Sequence, residues 1–309
     1  MTRVADLAQN RLVRSLILDT QARLADRQLQ ISSLQKSQNY MGIAADSSRL
    51  VTLESSKRRI DQFITDNIFI RLRMDIMLNS IDAAKKTLVD VKNLLREALD
   101  DGTIPSGINK NDFADVKMAE IQDFLNVKVN GRFLFAGSKT DTKPVQPGTL
   151  SSPPTFDGSN LTSAEPAFYY QGDDAVVKAR INEGVVLNYG VTADDPGFEK
   201  IIRAIRILRS VDVGDANYVA KYQGALDLVI QATDRLQALE LSVGTKVQQL
   251  ATTNRNLNNS GNFLSGIVSD LESANTFQAV VELTQDQTML EASYKVIVRL
   301  SNLTLTNFL

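Results

Sequence analysis

All seven prolines of this chain lie between Pro105 and Pro196, and residues 1–104 and 197–309 contain none. Proline lacks the amide hydrogen a helix interior needs, and its ring clashes with the preceding turn. The layout predicts two long helical arms flanking a turn-rich, strand-bearing middle. Long uninterrupted helices at both ends of one chain suit assembly better than catalysis.

The arms carry seven-residue repeats. Tyr222, Val229, Leu236, Val243, Leu250, Leu257, Leu264 and Leu271 follow one another at that spacing without a miss. A weaker seam three positions on runs through Ala225, Ala232, Leu239, Lys246, Thr253, Ser260, Ile267 and Ala274. Apolar residues at two heptad positions turn one stripe of a helix toward a partner. Some fifty residues of helix reach about 75 Å, too long for the interior of a compact domain. Asn258 to Gly261 is a weak point, because glycine is a poor helix former.

A second rod is expected in the N-terminal half. Leu50, Leu53, Ile60, Ile64, Met74, Leu78, Ile81, Leu88, Leu95 and Leu99 fall on three- and four-residue steps, with Lys57, Asn67, Arg71, Lys85 and Lys92 on the same stripe. The polar members suggest one wet edge, with long stems lying along apolar surface. Two rods of matched length invite antiparallel packing, each buried Leu or Ile contributing about 1.5–3 kcal/mol.

Outer helical pieces lie beyond the rods. Val13, Ile17, Thr20, Leu24, Arg27, Ile31 and Leu34 keep the heptad step near the start. Val280, Leu283, Gln287, Leu290, Tyr294, Ile297, Ser301, Thr304 and Phe308 keep it near the end, where Met289, Val296, Leu300 and Leu303 add apolar character off the stripe. A helix apolar on several sides needs several neighbours. It is either a core helix or one buried only when subunits meet. The candidate assembly residues are Val13, Ile17, Leu24, Ile31, Val280, Leu283, Leu290, Tyr294, Ile297 and Phe308. Asp46 is placed to cap the first rod, and the Ser273–Thr276 stretch to cap the last helix.

The middle reads as a short helix after Asn111 with Phe113, Val116, Phe124 and Val127 on one side, then an Asn130-Gly131 turn. Strands are expected at 132–136, 167–170, 176–181 and 185–189, with loop at 144–166. Asp195 and Pro196 start a further helix, Asp as cap and Pro at the first position, with Ile201, Ile202, Ile205 and Leu208 on its apolar face. The expected fold is mostly α with a β-rich insertion, the two chain ends forming a long antiparallel helical coiled-coil bundle. Three segments follow: 1–45 with 273–309, 46–130 with 197–272, and 131–196.

Composition narrows the chemistry. Cysteine and histidine are absent, which removes thiol nucleophiles, disulfides, histidine bases and Cys/His metal sites. A net charge of −2 gives no general pull toward nucleic acid or anionic membrane. No run approaches the length of a membrane-spanning helix. Arg3, Arg11, Arg14 and Arg23 break any secretory-type apolar run near the start. Gly131 to Thr140 has five residues between its glycines and bulky Phe133, Leu134 and Phe135 in place of a phosphate cradle. Asp173-Asp174 and Asp194-Asp195 lack calcium-loop spacing and are expected in turns and caps. Lys57-Arg58-Arg59 reads as a solvated face. The N-x-[ST] triplets at Asn160, Asn258 and Asn302 carry little weight. No catalytic, cofactor or metal site is expected.

The run Asn130 to Pro144 (NGRFLFAGSKTDTKP) resembles that of the flagellar hook-associated protein 3 family, within the bacterial flagellin superfamily. The matching motif residues are Gly131, Arg132, Phe133, Phe135, Gly137, Thr140 and Pro144. Tyr170 to Asp173, leading to Asn188–Phe198, is similar to the family's return from a variable insert. Thr288 to Lys295 and Asn307-Phe308-Leu309 resemble the superfamily's terminal helix. Ser33 to Asp46 departs from it, lacking the family's linker glycine and D-D-P.

The resemblance implies a flagellin-like fold and a structural subunit at the junction between hook and filament. Expected partners are copies of itself in a ring or helical array, the first hook–filament junction protein, flagellin and an export chaperone, with no nucleic acid and no membrane. It also implies export without a cleaved signal to an extracellular site, and terminal segments that order on assembly. A filament-forming flagellin and a cytosolic coiled-coil tether are the alternatives; an enzyme is the weakest reading.

Overall fold

The computed structural model describes residues 2–43, 46–146 and 169–306. Six α-helices lie among them: α1 (Thr2–Ser33), α2 (Ser47–Asp101), α3 (Lys110–Leu125), α4 (Pro196–Ser210), α5 (Tyr218–Glu272) and α6 (Thr276–Thr306). Four short strands accompany them: β1 (Lys128–Val129), β2 (Arg132–Phe133), β3 (Lys178–Asn182) and β4 (Val185–Asn188). The mostly α class with a small β-bearing middle, as read from the sequence, is the one observed. The chain divides into two compact units, residues 1–59 with 259–309 and residues 60–258.

The larger unit holds an extended apolar core from Ile70 to Leu250. On α5 the heptad leads as expected: Tyr222, Val229, Leu236, Val243 and Leu250 are fully buried and Leu257 nearly so. Ala225 and Ala232 bury the second seam, after which Leu239, Lys246 and Thr253 are only half-buried. The helix passes through Asn258–Gly261 unbroken. On α2 one seam is Asn67, Met74, Ile81, Leu88 and Leu95, all buried. The second is Ile70, Met77, Ala84, Val91 and Ala98, likewise buried. The expected second stripe was the opposite flank, and there Arg71 is exposed while Leu78, Lys85, Lys92 and Leu99 are half-buried.

Two contacts set α2 and α5 antiparallel in this unit. Asn67 donates to the Asn254 side chain at 2.6 Å, and Lys85 Nζ pairs with Glu240 at 2.7 Å. Asn67 also donates to the Ile181 carbonyl of β3 at 3.0 Å, so one buried polar residue on an otherwise apolar seam fixes where the hairpin sits.

The middle is less stranded than the sequence suggests. Asn130 and Gly131, at φ +50° and +80°, form the two-residue turn joining β1 to β2, a geometry that matches strand twist. The ladder ends at Phe133. Leu134, Phe135 and Ala136 are buried: Leu134 N–H still donates across the hairpin to Val127, after which the Phe135 carbonyl accepts from Ala193 and the Ala136 carbonyl from Asp173. The expected strand at 132–136 is therefore a crossing point of three segments. β3 and β4 pair antiparallel, with a bulge between Arg180 and Asn182. Tyr170 makes a single bridge with Val145; 167–168 and most of the expected 144–166 loop lie outside the described residues.

Helix α3 starts at Lys110, just before the expected Asn111, and is capped by Asn109, whose side chain accepts from the Asn111 and Asp112 amides. Its buried face is Ala114, Met118, Ile121 and Leu125; Val116 is exposed, and Phe113 and Phe124 half-buried. Asp195 caps α4 by accepting from Gly197 N–H at 2.9 Å, with Pro196 at the first position, as expected. The helix is buried nearly all round, not on one face. Its polar side is neutralised internally by the Glu199–Arg203 pair at 2.6 Å. Arg206 is also buried, and desolvation lowers its guanidinium to about 10, against the opposing pull of Tyr169 and Glu199. Lys110 Nζ caps the other end of α4, donating to the carbonyls of Arg209 at 3.0 Å and Val211 at 2.8 Å, a cation where the helix dipole is negative.

Candidate assembly surface

The smaller unit is built on a pair of helices from opposite chain ends. Arg27 pairs with Glu282 at 2.5 Å, Arg23 with Asp286 at 3.2 Å, and Gln21 donates to the Tyr294 hydroxyl at 2.9 Å. Rising numbers on α1 meet falling numbers on α6, so the two run antiparallel.

Their inner ends are fastened by backbone. Leu34, at φ +59°, turns the chain out of α1. Lys36 N–H then donates to the Glu272 carbonyl at 2.7 Å, and Ala274 N–H to the Leu34 carbonyl at 2.9 Å. Lys36 Nζ donates to the Leu271 carbonyl at 2.8 Å, closing the last turn of α5. Asn275 caps α6 through Gln278 N–H at 3.1 Å, inside the Ser273–Thr276 stretch read from the sequence. Helix α2 starts directly after Asp46.

This pair buries little of its own apolar surface. Ile17 and Ala279 are its buried apolar residues among those described, joined by the polar Thr20 and Asp286. Of the candidate assembly residues, Val13, Leu24, Ile31, Leu283, Leu290 and Ile297 are half-buried, while Val280 and Tyr294 are exposed; Phe308 lies outside the described residues. The barest apolar side chains sit off the heptad stripe. Leu12, Leu16, Leu18 and Leu29 are exposed on α1, and Phe277, Val281, Met289, Val296 and Val298 on α6. Phe277 leaves 79% of its surface in water and Leu12 61%. Large apolar side chains left exposed in such number along one helix pair mark an interaction surface. On α6 the off-stripe signal was already visible in Met289 and Val296. On α1 it was hidden, because Leu12, Leu16 and Leu18 break the period that defines the stripe.

The Gly131–Pro144 motif builds a second feature, a clasp inside the larger unit. Phe135 is fully buried and meets Phe198 of α4 edge to face at 5.8 Å. Gly137 takes φ +69°, and a Cβ there would overlap the backbone carbonyl of Asp173. Ser138 donates its N–H to Asp173 at 2.7 Å and its hydroxyl to the same carboxylate. These bonds, the hydroxyl's first, hold the Asp173 carboxyl below its ordinary value. Gln171 N–H donates to the Pro144 carbonyl at 2.9 Å, and Tyr169 OH to the Ala193 carbonyl at 2.9 Å. Thr140 accepts from Phe133 N–H at 2.7 Å; Gly131 and Arg132 are exposed. The motif thus ties the segment after Val129 to the return at 169–173 and to the start of α4. Asp173 and Asp195 serve turn and cap, and Asp195 also holds Arg235 of α5 at 2.7 Å. No group of three or more potential metal-ligating residues occurs among the described residues, and no described helix is long and apolar enough to cross a membrane.

Comparison with known proteins decides what this architecture resembles. Residues 226–309 match the bacterial flagellin C-terminal helical region. The matched stretch covers most of α5 and all of α6, the helix of the bare apolar surface. In three dimensions the chain is similar to a protein described as a flagellar hook-associated protein from Vibrio parahaemolyticus, with a TM-score of 0.58 at 15% identity, over 76% of this chain and 99% of that one. Bacillus cereus FlgL gives 0.49 at 16% identity over 66% and 98%. The flagellar hook associated protein-3 of Legionella pneumophila gives 0.41 at 11% over 75% and 99%. No curated protein matches the sequence. The fold is thus similar to that of a hook-associated protein, and the C-terminal sequence to that of flagellin.

Proposed function

We propose that this chain is a structural subunit of the bacterial flagellum that forms the junction between hook and filament. The observation that carries the reading is the antiparallel pair α1–α6, helical from both chain ends and bare of cover on its off-stripe apolar residues. Such a pair gains most of its burial from neighbours, and heterologous packing of one copy on the next builds a ring or a helix. The flagellin-like C-terminal region and the hook-associated fold support the same role. On this reading the partners are further copies, the first hook–filament junction protein, flagellin and, before assembly, an export chaperone. The chain leaves the cell through the flagellar export channel without a cleaved signal and resides outside it.

The test is genetic and structural together. Cells lacking the protein should carry hooks without filaments and shed flagellin into the medium; intact filaments in such cells refute the junction role. Restoring the gene with Leu16→Asp and Val298→Asp, which leave the ion pairs of α1 and α6 untouched, should fail to rescue filaments. The same holds for Leu290→Asp and Ile297→Asp. Because residues 226–309 match flagellin itself, filament-forming flagellin is the second reading. Spontaneous growth of long filaments from purified chain would favour it.

A further inference from the structure

The outer end of the terminal helix pair has a charge pattern that its apolar surface does not explain. The antiparallel register set by Arg27–Glu282 and Arg23–Asp286 brings the stretch before Ser15 beside the stretch after Tyr294. Arg11 and Arg14 lie on the first, Lys295 and Arg299 on the second, and all four are exposed. None of them has a carboxylate partner among the described residues. They alternate with the bare Leu12, Leu16, Val296 and Val298. If this end is covered in an assembly, as the reading above requires, the cations are covered with it. A cation removed from water without a counter-charge is strongly unfavourable, so the covering surface must carry carboxylates.

The inner end of the same unit offers them. Asp26 on α1 and Asp270 at the close of α5 are exposed, Glu272 is half-buried, and none is ion-paired within the chain among the described residues. Asp26 lines an open hollow of about 330 Å³ with Gln30, Ser33 and Lys36. The inner end is thus the richer in unpaired carboxylates and the outer end in unpaired cations, Lys36 in the hollow and Glu291 one turn before Lys295 being the exceptions.

We propose that a second copy of this chain covers the cationic end, its Asp26, Asp270 and Glu272 facing Arg11, Arg14, Lys295 and Arg299, so that copies associate in a polar, staggered order. The contact is heterologous and propagates, whereas apolar surface alone specifies no direction. It rests on the assembly reading but adds to it the chemistry and polarity of the contact.

Sedimentation of the full chain tests it. Raising salt from roughly 50 to 500 mM should weaken self-association about tenfold or more, because the charges are exposed on the free chains and salt screens their attraction before contact. Arg14→Glu with Lys295→Glu should stay monomeric, as should Asp26→Lys with Glu272→Lys, each retaining its helical circular dichroism. Mixing the two variants should restore association, since each supplies the charge the other now needs. A wild-type chain that is monomeric at low salt, association that salt leaves alone or strengthens, or a mixture that stays apart overturns the proposal. None of these results touches the filament-rescue test above, whose variants lie at apolar positions.

Discussion

Gly137 shows how a motif can be structural while looking like chemistry. Its φ of +69° lies where side chains are strained, and the Asp173 carbonyl occupies the place of a Cβ. Gly131, in the same motif, also has positive φ, at +80°, but nothing stands near a Cβ there. Gly137→Ala is therefore expected to cost about 3 kcal/mol, from strain plus overlap with backbone that cannot easily move. Gly131→Ala is expected to cost about 1 kcal/mol, from conformation alone. Urea titrations should show a large fall in midpoint for the first and a small one for the second, at unchanged slope. Equal midpoints would mean that the clasp does not constrain Gly137. The sequence marks this run as a turn and a family signature. It does not show the role of Gly137, because the partner, Asp173, lies beyond a long proline-rich stretch and only the fold brings it back.

Helices α2 and α5 show what periodicity reveals and what it leaves open. On α5 the large seam residues recur without interruption, and the structure buries them from Tyr222 to Leu257, leaving Leu264 and Leu271 half-buried. On α2 the first seam has two flanks three and four residues away, and both look plausible as sequence. Leu78 and Leu99 draw the eye to one flank, whereas the buried flank holds Met77, Ala84, Val91 and Ala98. Ala84 and Ala98 are small enough for close approach of packed neighbours, as Ala225 and Ala232 are on α5. Size, the cue used in reading the sequence, points the wrong way when the seam is tight. Met77→Ala should thus cost about 2–5 kcal/mol as a core truncation, and Leu78→Ala clearly less, in the same denaturation assay. The reverse order would restore the flank read from the sequence. Helix α4 was similarly half-legible: its isoleucines were plain, but burial of Glu199 and Arg203 depends on their pairing one turn apart in a surrounding the sequence does not display.

At the scale of the molecule the two units differ in how much they bury for themselves. The larger holds a contiguous apolar core from Ile70 to Leu250. In the smaller, the described buried apolar residues of the α1–α6 pair are Ile17 and Ala279 alone. An isolated helix of some thirty residues is marginal without packing, and local opening free energy follows buried contacts. Amide hydrogen exchange on dilute free chain should therefore show 11–33 and 276–299 exchanging at least ~100-fold faster than 222–250. If the chain assembles into flagella as proposed, the terminal amides should there slow toward the values of the larger unit, with neighbours covering Leu12, Leu16, Val296 and Val298. If the terminal helices of the solitary chain are already as protected as the middle of α5, the apolar surface has no burial left to gain. Assembly through the chain ends would then lose its driving force, and with it the reason for two proline-free arms meeting at one place.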